Sequence, residues 1–250
     1  MKTKLKLGLA LFILGFLGVL TLLTATLPLP LNNLPEQLAQ LPPFIIKLLI
    51  LINPTILLLI AVTVGTVLYD KVNLTVPTIS SLLRIKHPQT SFIQQLKYGV
   101  SLGLLAGIFI MLIAFIFKQV IPEEFKILEN KIEFTLLARF GYGGIVEELL
   151  LRFGFMTLVV WITSKLTRRL NDITYWIGII LPAILFAVAH FPIVFASVSH
   201  PSFLLLTYIL IDNFIGGLIF GWLYWKKGLE AACIAHIFTH VAMVSIGLFL

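Results

Sequence analysis

Seven apolar runs of membrane-spanning length recur along this chain of 250 residues, and they leave little choice of architecture. They fall at about Leu5–Leu27, Phe44–Tyr69, Tyr98–Phe117, Phe134–Thr163, Tyr175–Phe195, Phe203–Trp225 and Leu229–Leu250. Hydrocarbon offers no partner to a backbone N–H or C=O, so a run of about 20 apolar residues must satisfy its own hydrogen bonds as a helix. The expected fold is an all-α, polytopic membrane helix bundle of about seven transmembrane helices with the N-terminus inside. Residues 1–250 are read as a single transmembrane domain. The first run is longer than a signal-peptide core and is expected to stay as a helix.

The polar loops alternate in charge. Lys2, Lys4 and Lys6 share one side with Lys71, Arg84, Lys86, Lys97, Lys165, Arg168, Arg169, Lys226 and Lys227. The opposite loops hold Lys118, Lys126 and Lys131 against Glu123, Glu124, Glu129 and Glu133. Cationic loops stay in the cytoplasm, which gives the inside N-terminus and an outside C-terminus. The formal net charge of +7 therefore reflects topology and not a nucleic-acid partner. A single cysteine, Cys233, excludes a disulfide scaffold. No Rossmann glycine loop, P-loop, HExxH or paired CxxC is present. Gly99, Gly103 and Gly107 recur every fourth residue, as do Gly217 and Gly221, which suits close helix–helix packing in lipid.

Against that background Glu147, Glu148 and Arg152 stand out, because they lie in the middle of the fourth run. A charged residue at a helix centre costs roughly 2.5–3.5 kcal/mol, and each Leu, Ile, Phe or Val offsets about 0.3–0.6. About 15 apolar residues barely offset three such charges. Such groups mark a site by default. Glu148 and Arg152, four residues apart, share a helix face and can pair. Glu147 is turned about 100° away on an α-helix and is free to serve as a general base. Gly143 and Gly144 are expected to leave the adjacent surface open. Three further ionisable positions sit inside spans on other helices: His190 in the fifth, and His236 and His240 in the seventh. They can bind a water, donate to an oxyanion or hold a metal. Each also has a plain alternative, since a membrane histidine often joins helices, and Asp212 and Asn213 are expected to do the same. Counted from the loops, His190 falls nearer the outer surface and His236 nearer the inner one, so their meeting requires a bend at Pro182 or a late start to the fifth helix.

Glu147-Glu148-x-x-x-Arg152, Phe186-x-x-x-His190 and His236-x-x-x-His240, in that order, resemble the three motifs of the CPBP family. These are the type II CAAX prenyl endopeptidases and their Abi and bacteriocin-processing or immunity relatives. The resemblance covers about residues 134–250, a motif-bearing catalytic core. It implies an intramembrane endopeptidase acting on a membrane-embedded or lipidated peptide, in the CAAX members near a prenylated C-terminus. Carried over by motif, Glu147 would activate the attacking water and His190 would assist. His236 would help stabilise the oxyanion, with Glu148 and Arg152 supporting the geometry. The third motif commonly ends in Asn, where this chain has His240. The family's metal dependence is disputed: the reaction runs either with no cofactor or with a divalent metal such as zinc, for which Glu147, His190 and His236 would be the ligands. The expected setting is a prokaryotic plasma membrane, with the lipid bilayer and a peptide as partners. A non-proteolytic adaptor or immunity protein on the same fold is the second reading, and a proton-coupled transporter the third.

Overall fold

The computed structural model describes residues 2–28, 41–85 and 90–249; Lys86, His87 and the end of the Leu-Pro-Leu-Pro stretch lie outside them. The described residues are helical throughout, apart from turns and one isolated bridge between Thr26 and Glu133. In chain order the helices are α1 (Lys2–Leu20), α2 (Pro43–Ile50), α3 (Ile52–Leu68), α4 (Pro77–Leu82), α5 (Phe92–Val120), α6 (Pro122–Lys131), α7 (136–167), α8 (Asp172–Val188), α9 (Phe191–Ser197), α10 (Phe203–Lys227) and α11 (Leu229–Gly247). Their starts are set by side-chain caps. Ser91, Thr135, Asn171 and Ser202 each accept a hydrogen bond from the backbone N–H three residues on, satisfying a donor that the first helical turn leaves free.

Six segments are long and apolar enough to cross a membrane: Lys2–Thr24, Phe44–Val72, Phe92–Val120, Asp172–Ser197, Phe203–Lys227 and Leu229–Gly247. The fourth run of the sequence, now α7, is not among them. It nevertheless traverses the bundle. Thr24 and Thr135 hydroxyls meet at 2.6 Å beside the Thr26–Glu133 bridge, and at the far end of α7 the chain turns through Arg169 into α8. The outward faces are apolar, with Leu9, Ile60, Phe109, Leu112 and Leu181 all exposed, whereas Glu148, Arg152 and His236 are buried. That is a bundle turned toward lipid on the outside and polar at its centre.

The charge sorting of the loops appears as two ends. At the basic end Lys4 bonds Asp70 at 2.6 Å, the Tyr175 hydroxyl donates to the Val72 carbonyl at 2.9 Å, and Leu229 N–H donates to the Thr75 carbonyl at 3.0 Å. At the acidic end Ser202 N–H donates to Glu124 at 2.7 Å and Lys131 to the Ser197 carbonyl at 2.6 Å. The amphipathic α6 lies there, with Phe125 buried against Tyr208.

Glycines set the close approaches. A side-chain carbon at Gly103 would sit 2.3 Å from the Ala235 carbonyl, and one at Gly107 2.6 Å from Ala242 Cβ, so the α5 glycine stripe seats α11. Gly217 seats α8 against Ala183 in the same way. Between α10 and α11 the chain reverses at Gly228, whose φ of +97° is strained for any residue with a side chain. A buried polar cluster holds this turn. Glu230 accepts from Ile79 N–H at 2.8 Å and from Gln95 Nε2 at 3.0 Å; Gln95 also donates to the Lys227 carbonyl at 3.1 Å and accepts from the Thr78 hydroxyl.

Candidate active site

The helix that carries the glutamates is not wound as an α-helix. Between Arg139 and Met156 its turns are of the wide π type, interrupted at Glu148. Just past them the Thr157 hydroxyl donates to the Arg152 carbonyl at 3.3 Å. Such turns are rare outside functional sites. Here they occupy the stretch where Gly141, Gly143, Gly144 and Gly154 let neighbouring helices approach.

The two glutamates separate. Glu148 is fully buried and turns toward the protein: its Oε1 lies 3.1 Å from Arg152 Nη1 and accepts from His236 Nδ1 at 2.8 Å. Glu147 retains 19% side-chain exposure, with Oε2 3.8 Å from His236 Nε2. Its face lines a cavity of about 890 Å³ bounded by α3, α7, α8, α9, α10 and α11. His190, His236 and His240 line the same cavity, whereas Glu148 and Arg152 do not. The structure thus brings all six sequence-derived residues into one cluster, four on the cavity wall and two behind it.

Arg152 is held by aromatic faces. Its guanidinium lies 4.9 Å from the Phe186 ring and 5.3 Å from Phe220, an arrangement that stabilises a desolvated cation. Neither terminal nitrogen makes an aligned hydrogen bond, even though Nη1 is in ion-pair range of Glu148. Glu148 Oε2 and His240 Nδ1 are likewise buried without a partner.

The depth difficulty between His190 and His236 is resolved by Phe186. The fifth span continues through Pro182 as α8 and ends at Val188, not at the proline. His190 sits in the turn before α9, and its ring folds back so that Nδ1–H donates to the Phe186 carbonyl at 2.8 Å. The Phe186 ring meets His190 edge-on at 4.9 Å and His236 edge-on at 6.0 Å. His236 in turn stacks between Phe220, at 4.6 Å, and His240, at 5.0 Å.

A carbonyl and a carboxylate can only accept, so His190 and His236 each carry a proton on Nδ1. In the neutral ring Nε2 is then the basic nitrogen, and the hydrogen bond at Nδ1 fixes that tautomer. Two expectations change. Gly143 lines the cavity as expected of an open surface, but both glycines also seat α11: a carbon at Gly143 would lie 2.8 Å from His240 Nε2, and one at Gly144 2.3 Å from Ile237 Cγ1. Asn213 does not join two helices, since its amide donates to the Ile209 carbonyl of its own helix at 2.9 Å, while Asp212 Oδ1 is buried without a partner.

The cavity wall also includes Arg139 and Tyr142, which the sequence did not single out. Arg139 Nε donates to the Phe134 carbonyl at 3.1 Å, and among the described residues no carboxylate pairs with it. Tyr142 stands five residues before Glu147, a separation that shares a face only on a π-wound helix. Among the described residues no three His, Cys, Asp or Glu side chains are grouped to hold a metal ion. Glu147, His190 and His236 in this arrangement do not form a ligand set, and no step below is routed through a metal.

Residues 130–242 match the family described as type II CAAX prenyl endopeptidase Rce1-like. The match runs from the end of α6 through most of α11, and so contains every residue of the cluster. The chain is an integral, multi-pass membrane protein. No curated protein and no solved structure matches the chain.

Proposed function

We propose that the protein is an intramembrane endopeptidase that hydrolyses a membrane-associated peptide with a water activated by Glu147. The observation that carries this is the division of the glutamate pair: Glu147 faces a cavity shared with three histidines, while Glu148 faces Arg152 and His236. Glu147 takes the proton of the attacking water, and His190 Nε2 accepts the water's second hydrogen bond and aims its lone pair. His236 is oriented by Glu148 through Nδ1. The proton that Glu147 takes from the water is shared with His236 Nε2, 3.8 Å from Glu147 Oε2, so that Nε2 donates to the oxyanion while the Glu148 carboxylate balances the charge. His240, stacked on His236, stands where the family's third motif commonly has Asn. Arg152 holds Glu148 in place and does not touch the substrate. The bond broken is the peptide C–N, and the leaving amine takes the proton from Glu147.

The test compares cells expressing wild type with cells expressing Glu147→Gln at matched membrane levels, reading new protein termini in the membrane fraction by mass spectrometry. Termini that vanish in the variant establish proteolysis and name the substrate. Termini unchanged by the variant remove Glu147 as the base. The absence of any Glu147-dependent terminus, at full expression, favours an adaptor built on the same fold.

A further inference from the structure

Two arginines of α7 flank the glutamates, and their surroundings differ. Arg152 is buried behind the site, with Glu148 at 3.1 Å and two aromatic rings against its guanidinium. Arg139 is partly buried and lines the cavity. Its Nε donates to the Phe134 carbonyl, and among the described residues its two terminal nitrogens have no hydrogen bond, ion pair or aromatic face. A cation held inside a membrane protein is costly unless an anion or a set of acceptors answers it. With Nε occupied, the two terminal nitrogens form a fork that fits one carboxylate end-on.

The cavity wall changes character along its length. On α7 the wall positions before Glu147 include Arg139 and Tyr142, whereas those after it, among them Leu151, Phe155 and Leu158, are apolar. The parallel helix α3 repeats the order, with Asn53 at its start and Leu57 and Ile60 beyond. Leu57 and Ile60 are also exposed on the outward flank of α3, where hydrocarbon lies. An occupant that suits both halves is apolar over most of its length and anionic at one end. An apolar peptide has one such anion whatever its sequence, the C-terminal carboxylate. We infer that Arg139 binds the C-terminal carboxylate of the peptide substrate and so sets how far from that end the chain is cut. The cutting rests on the endopeptidase reading; the carboxylate site does not. Arg139 precedes Glu147 by eight residues, about 12 Å along a helix at about 1.5 Å per residue. The bond to Phe134 draws the guanidinium further from Glu147, by up to about one turn, roughly 5 Å. An extended chain covers about 3.3–3.6 Å per residue, so the scissile bond falls about three to five residues from the free end.

The test reads binding without cleavage. The full chain carrying Glu147→Gln is titrated in detergent with N-acetylated tetraleucine bearing a free carboxylate, and with the same peptide as its C-terminal amide, while the melting temperature is followed. The acid should bind at least about tenfold more tightly than the amide, and adding Arg139→Gln should bring the two to equality. Arg139→Lys keeps the charge and loses the fork; it should leave an intermediate preference, and it takes over where Arg139→Gln does not accumulate. Equal binding of acid and amide before Arg139 is changed, binding of neither, or an acid preference undiminished by either substitution overturns the inference. The last result would leave Arg139 as a cation that only reaches toward the membrane surface. In cells, Glu147-dependent termini should fall within about five residues of a substrate's own C-terminus. Glu147-dependent cuts far from any chain end overturn the inference and leave the endopeptidase reading in place. Termini unchanged in Glu147→Gln remove that reading, and the peptide titration still decides the carboxylate site.

Discussion

Two glutamate sites lie buried in this bundle, and their partners differ. Both oxygens of Glu230 are satisfied, one by the Ile79 N–H and the other by the Gln95 amide. At Glu147 and Glu148 the account does not close: Glu148 Oε2, both terminal nitrogens of Arg152 and His240 Nδ1 have no hydrogen-bond partner. Polar groups buried in a low-dielectric interior are costly unless they are paired. A closed network is what a chain needs to hold a turn. An open one persists where its unpaired groups serve a ligand or a reaction, and the open one borders a cavity. The difference teaches that burial alone does not mark the chemistry; incomplete satisfaction beside a cavity does.

The contrast can be broken by substitution, beginning with the largest effect. Glu147→Gln should lower cleavage by about 10²–10⁴-fold, the usual contribution of a general base, with membrane accumulation unchanged by immunoblot. Arg152→Met should cost about 3–5 kcal/mol of stability, because it leaves the buried Glu148 carboxylate without its cation. Thermal unfolding in detergent measures it, and a melting temperature equal to wild type would mean that Glu148 does not depend on the pair. Gly143→Ala should displace His240 by forcing a carbon to 2.8 Å from its Nε2. Cleavage should fall on the order of 10- to 100-fold, as small misplacements in a site do, while the melting temperature barely moves. Glu230→Gln puts an amide donor where two donors already point. It should cost about 1–3 kcal/mol and leave cleavage per folded molecule intact. If that variant lost cleavage at full stability, the division into a structural and a chemical glutamate would fall.

Much of this was legible in the residues. Apolar runs bounded by sorted charges gave the helices and the two ends, because lipid allows few alternatives. Glu147, Glu148, Arg152, His190, His236 and His240 were visible because ionisable groups are costly in such runs. The α5 glycine stripe was readable for the same reason that it works: a face without side chains admits a neighbouring backbone. What stayed hidden depends on helix winding and on long-range partners. Tyr142 shares a wall with Glu147 only because α7 widens to π turns, and α-helical spacing gives no hint of that. Gln95 looked like an ordinary polar residue near a helix start, since its partners are 132 and 135 positions away. The meeting of His190 with His236 depends on one ring, Phe186, that no count of residues from the loops would reveal.

The seating of α11 has a consequence for how the protein is made. This helix brings His236 and His240, yet it is held along its length by Gly99, Gly103 and Gly107 and at its base by Thr75, Ile79 and Gln95. Those residues are synthesised more than a hundred positions earlier. Translation therefore prepares the receptacle first and delivers both imidazoles afterwards. From residue 148 to residue 236 the nascent chain carries its glutamates with no histidine partner on α11, so the cluster stays incomplete until α11 docks.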